Sequence, residues 1–123
     1  MFDLNAEAFD CNLRARDFLY QRDKNKLKFA IQLFEKAIEL DPRYAGAYAG
    51  LGEAYATLYQ LFERKEGWLD KSNEFSLKGL MYDSTLSEAY AALSLSYFNK
   101  KSVDEALEAS QKAIELDPNS FIG

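Results

Sequence analysis

Ala37-Ile38-Glu39-Leu40-Asp41-Pro42 returns unchanged as Ala113-Ile114-Glu115-Leu116-Asp117-Pro118, and a degraded copy, Gly79-Leu80-Met81-Tyr82-Asp83-Ser84, lies between them. A chain that repeats one phrase at intervals is built from stacked copies of one small unit, because a single unit cannot bury its own apolar face. Such a stack presents a surface rather than enclosing a reaction site.

Working outward from the last copy, Tyr90-Ala91-Ala92-Leu93-Ser94-Leu95-Ser96-Tyr97 precedes a polar break at Asn99-Lys100-Lys101, and Val103 to Pro118 come after it. The middle unit opens in the same way, with Tyr48-Ala49-Gly50-Leu51-Gly52-Glu53-Ala54-Tyr55. Large residues three and four apart fall on one helical face, and the small ones between them admit a neighbouring helix, with Gly52 and Ser94 at the closest approach. Thr85-Leu86-Ser87-Glu88 and Ser102-Val103-Asp104-Glu105 have the form of capping boxes. Each Asp-Pro is a stop, since the residue before proline is held out of helical geometry. The pattern predicts six helices at about 4–22, 26–40, 43–64, 66–82, 86–99 and 103–117, paired antiparallel.

On these residues the chain resembles a tetratricopeptide repeat array, whose pattern is an aromatic, Leu-Gly and Tyr on the first helix, then Ala, an aromatic and Pro on the second. Tyr48, Leu51, Gly52 and Tyr55 carry it in the second unit; Tyr90, Leu93, Tyr97, Ala106, Ala113 and Pro118 carry it in the third. Ala30, Phe34, Ala37 and Pro42 carry it in the first, whose leading helix (Leu13, Phe18, Leu19, Tyr20) fits poorly. Asp83 and Asp117 are 34 residues apart, the family's repeat length, whereas Asp41 and Asp83 are 42 apart, so the second unit carries 8 extra residues. The resemblance implies an all-α fold, a right-handed α-solenoid of three antiparallel helix pairs. It forms a single array over residues 1–123, with repeats at about 11–44, 45–86 and 87–120. The loose first helix and long second hairpin also resemble repeat modules attached to bacterial signalling proteins such as cyclases and transcription regulators.

The extra residues lie between Tyr55 and Ser72 and are expected to lengthen the second hairpin, which would turn near Gly67. Leu58, Leu61, Phe62, Trp68 and Leu69 repeat along it with helical spacing, which suits zipping the hairpin to itself; the competing role for Trp68 is an aromatic anchor for a partner. Ser72, Ser76, Gly79 and Ser84 replace Ala, an aromatic, Ala and Pro, so this helix is expected to pack less well than its neighbours. The sequence stops where a further repeat would begin. Either it belongs to a longer protein or the last helix uses an open flank, with Leu107 and Ile114, for self-association.

Composition removes several function classes. The 48% apolar and 28% charged content is that of a folded domain, and a net charge of −5 gives no general attraction to nucleic acid or an anionic membrane. There is no histidine, hence no usual general base near neutral pH and no Ser-His or Cys-His pairing. Cys11 is alone and cannot form an internal disulfide. Gly46, Gly50 and Gly52 have helix-packing spacing, not that of a phosphate loop. With no signal-like or membrane-spanning run, a cytoplasmic, non-enzymatic protein without cofactor or metal is expected. Turns inside the pairs are basic (Arg22, Lys24, Lys26, Lys28; Arg64, Lys65; Lys100, Lys101) and those between pairs acidic, which would array opposite charges on two edges of the stack.

The resemblance also implies where a partner sits, since in such arrays the first helix of each pair lines a concave groove. Carried over by motif, the groove residues are Gly46, Ala49, Gly50, Glu53, Ala56 and Thr57 in the second unit and Glu88, Ala91, Ala92, Leu95, Phe98 and Asn99 in the third. Asn12, Ala15, Arg16 and Leu19 are their looser counterparts in the first. Some members of the family hold a C-terminal carboxylate with lysines and asparagines on these faces; here Gly, Ala and Leu stand at those positions. A small-lined, apolar groove suits an amphipathic helix or hydrophobic segment of a protein partner. The expected function is a protein-interaction adaptor, with a self-associating scaffold as the alternative.

Overall fold

A computed structural model describes residues 4–118, in six helices with no strand among the described residues: α1 (Leu4–Leu19), α2 (Lys24–Leu40), α3 (Ala45–Leu61), α4 (Glu66–Tyr82), α5 (Ser87–Asn99) and α6 (Val103–Leu116). The end of the third repeat at 120 and the segment after Pro118 lie outside the described residues. α1 packs on α2, α3 on α4 and α5 on α6, while α3 also touches α1, α2 and α5, and α4 touches α5. The result is an all-α helical-repeat solenoid with α3 at its centre.

The repeated phrase does the same work each time. Asp41, Asp83 and Asp117 cap α2, α4 and α6, their backbone N–H groups donating to the carbonyls of Ala37, Gly79 and Ala113. After α2 and α4 the aspartate side chain also shapes the loop leading to the next helix. Asp41 Oδ1 accepts the N–H of Arg43 at 3.2 Å; Asp83 Oδ1 accepts the Thr85 N–H at 3.0 Å and its hydroxyl at 2.6 Å. This is the local turn that aspartate favours.

Neither expected capping box forms. Leu86, not Thr85, is the N-cap of α5, Thr85 donates its hydroxyl to Asp83, and Ser102 caps α6 without a side-chain bond. Among the described residues an N-cap side-chain bond forms at Asp23, which accepts from the Lys26 N–H at 3.0 Å. The hairpin of the second pair turns at residues 62–65, earlier than expected, and Gly67 lies in the first turn of α4. Lys101 ends α5 in the left-handed region (φ 66°), where Ser102 N–H reaches Tyr97 O at 2.8 Å and Lys101 N–H reaches Phe98 O at 3.0 Å, the paired bonds of a Schellman ending.

Small residues let the helices approach. A Cβ on Gly50 would stand inside contact distance of the Phe34 ring, and that ring is fully buried between α2 and α3. A Cβ on Gly52 would collide with Ser76 Oγ and lie 3.2 Å from the Ser72 carbonyl. Two of the unusual serines fill this close approach: Ser72 and Ser76 are fully buried, Ser72 Oγ donates to Gly52 O at 2.7 Å, and Ser76 Oγ has no hydrogen-bond partner. On the other side of this hairpin Trp68, Tyr55, Phe75, Tyr48 and Tyr82 form a column of stacked rings, successive centroids 5.5–6.5 Å apart. Lys71 and Lys78 lie over the rings of Tyr55 and Tyr48.

Gly50→Ala should lower unfolding stability by about 2 kcal/mol, because overpacking against a buried ring outweighs the helix-propensity gain. Gly67→Ala, with nothing within 4 Å of the added methyl, should raise it by about 0.5 kcal/mol. Urea unfolding followed by circular dichroism separates the two; effects of the same sign would contradict the packing described.

Candidate functional site

The leading helices α1, α3 and α5 share one face, and two hollows lie along it. The first, about 500 Å³, is lined by Leu19, Tyr20 and Arg22 from the end of α1, Glu53, Thr57, Gln60 and Leu61 of α3, and Ala91, Ala92 and Leu95 of α5. The second, about 490 Å³, is lined by Asn12 and Arg16 of α1, Asp41, residues 43–46, and Tyr82, Asp83, Leu86 and Glu88. Arg16 Nη1 donates to Glu53 Oε2 at 3.1 Å, joining the two.

Seven of the twelve expected groove residues of the second and third units line these hollows: Glu53, Thr57, Ala91, Ala92 and Leu95 the first, Gly46 and Glu88 the second. Phe98 joins Ala91 and Leu95 around a further apolar hollow toward α6. The Asn99 amide donates to Leu95 O at 2.9 Å, which ties it to its own helix. Ala49, Gly50 and Ala56 are buried and line none of these hollows, for a packing reason: Gly50 faces Phe34 of α2, and Ala49 lies against Gly79 of α4. Of the first-unit residues, Ala15 is buried, Leu19 lines the first hollow, and Asn12 and Arg16 line the second. Trp68 is committed within its own hairpin, stacked on Tyr55 with its indole N–H donating to Glu63 at 3.2 Å. The basic edge is partly neutralised by Lys24–Glu63 (3.1 Å) and Lys100–Asp70 (2.6 Å).

The middle of this face is charged rather than apolar. Arg16 also donates to Gly46 O at 3.2 Å and lies over the Phe34 ring, 5.7 Å from its centre. Burial works against its charge, but Glu53, Tyr20 and Glu88 more than offset this and hold the guanidinium above its ordinary value. Glu53 is pushed up to about 7, first by burial, which Arg16 opposes and Glu88 reinforces. The pairing spans 37 residues, a separation at which no helical periodicity can signal it. Tyr20, Arg22, Gln60 and Leu61 also escaped the motif, because they sit at helix ends where this chain departs from the family's length.

No helix among the described residues is long and apolar enough to cross a membrane, and among them no cluster of acidic or cysteine side chains has the form of a metal site.

The face and the stacked pairs define a helical-repeat solenoid. Models described as TPR repeat and Tetratricopeptide repeat match residues 21–58 and 87–120, and the chain belongs to the tetratricopeptide repeat family. No curated protein matches it. Among solved structures it is similar to the first TPR of Spaghetti (RPAP3) bound to the HSP90 peptide SRMEEVD. The TM-score is 0.77 at 18% identity, covering 95% of this chain and 86% of that one. The first TPR domain of human RPAP3 is similar to the same degree, with TM-score 0.77, 18% identity and coverage of 95% and 84%.

A carboxyl whose folded-state pKa exceeds its unfolded value stabilises the fold fully below the unfolded pKa and loses that contribution as pH rises through the folded one. For Glu53 the window runs from 4.5 to about 7. Stability should fall by about 2 kcal/mol across it, discounted for partial exposure and the Arg16 pair. Glu53→Gln should flatten that slope in urea titrations between pH 5 and 7; an unchanged slope would place the titration elsewhere.

Proposed function

We propose that this domain is a protein-interaction module that receives a peptide or amphipathic helix of a partner protein along the α1–α3–α5 face. The observation that carries this is the trough of about 500 Å³ to which all three leading helices contribute. Leu19, Leu61, Ala91 and Leu95 supply apolar surface, and Tyr20, Thr57 and Gln60 supply polar groups around it, the mix that suits an amphipathic segment. The occupied peptide site of the Spaghetti structure shares this fold and supports the same reading. The work is binding by exclusion of water and shape, with no bond made or broken. Ala91→Arg, on the trough wall, should weaken binding of selected peptides at least about tenfold in calorimetry while helicity is unchanged. Undiminished affinity would remove the trough from the binding surface.

One observation favours self-association as a second reading. Phe98 (65% exposed), Val103 and Leu107 project from α5 and α6 around an apolar hollow of about 490 Å³. Sedimentation should then show mass rising with concentration, and both Leu107→Glu and Ile114→Glu should hold the domain monomeric. A monomer at all concentrations excludes this reading.

A further inference from the structure

Resting on the binding reading above, we propose that the second hollow holds a lysine or arginine side chain of the bound partner segment. Asn12 is only 7% exposed, lines the hollow, and has an amide oxygen with no hydrogen-bond partner. Across the hollow, one carboxylate oxygen of Glu88 is likewise buried without a partner. Buried acceptors left unpaired are costly, and a group that brings donors to both recovers that cost.

The surrounding charges select the kind of group. Arg16 is already engaged by Glu53 and the Gly46 carbonyl. Arg43 lies exposed at the rim. Asp41 and Asp83 line the same hollow, accepting from backbone N–H groups in their own turns, and both add negative potential. Glu53, which pairs with Arg16, and Glu88, which lies within its field, thus share one half-buried arginine. A ligand carboxylate would meet like charge and two further acceptors. An ammonium or guanidinium carries donors only and complements them. The larger hollow takes the apolar part of the same segment, so the two together read an apolar stretch with a basic residue beside it.

The test is a phage library of random dodecapeptides panned on the immobilised domain, keeping clones whose capture Ala91→Arg abolishes. The expected clones share a lysine or arginine at a fixed distance from an apolar pair. For a resynthesised arginine peptide, citrulline in place of that arginine should lower affinity about tenfold. Glu88→Gln, with helicity checked, should cost a similar factor, and the two changes together no more than either alone. Clones without a shared basic residue, or a citrulline penalty that persists in full in Glu88→Gln, would overturn the cation site while leaving the trough as the binding surface. If no enriched clone depends on Ala91, the binding reading falls and this inference with it.

Discussion

The closeness of α3 to its neighbours is the constraint on which the rest of the structure depends. Ten of its seventeen residues are buried, and it is in contact with α1, α2, α4 and α5. Helix axes approach this closely only where the facing side chain is a hydrogen or a methyl group. Gly50 accommodates the ring of Phe34, and Gly52 accommodates two serines of α4. A larger residue at either position would push α2 or α4 outward. Because α3 also forms the middle of the α1–α3–α5 face, that displacement would reshape both hollows.

The same packing explains why the face is not the smooth apolar groove that its composition suggests. Ala49, Gly50 and Ala56 are consumed in helix contacts, so α3 meets solvent on this side largely through Glu53, Thr57, Gln60 and Leu61. Glu53 is thereby placed against α1 and finds Arg16. An ion pair in partial burial contributes little net stability against a well-packed apolar alternative. Its consequence here is electrostatic: it engages Arg16, while one buried oxygen of Asn12 and one of Glu88, both lining residues of the second hollow, have no hydrogen-bond partner.

Much of the fold was legible because it rests on local signals. Helix positions came from three-and-four spacing in Tyr48, Leu51 and Tyr55, and from the Asp-Pro stops; the ends of all six helices agree to within about four residues. The close approach at Gly52 was also readable, since only a missing side chain explains a glycine inside a helix pattern. What failed depended on competition between neighbours. Thr85 had the spacing of a cap, but the Asp83 turn holds its backbone N–H and hydroxyl, and α5 begins one residue later, with Leu86 at the N-cap. That Ser72 and Ser76 fill a close approach to α3 depended on Gly52 opposite them, which spacing within α4 does not signal. At the site, motif positions placed Glu53, Ala91, Leu95 and Glu88 on the face that bears the two hollows. They could not distinguish residues that line it from Ala49, Gly50 and Ala56 one helical step away, nor reveal the Arg16–Glu53 pair.

The central claim is that the α1–α3–α5 face is the surface that engages a partner. A photo-reactive benzoylphenylalanine at Thr57, on the wall of the trough, compared with one at exposed Glu74 of α4, tests it most directly. After irradiation with a library-selected peptide, mass spectrometry should find the peptide joined through position 57 and not through position 74. Crosslinking through position 74, or equally through both, would contradict the account.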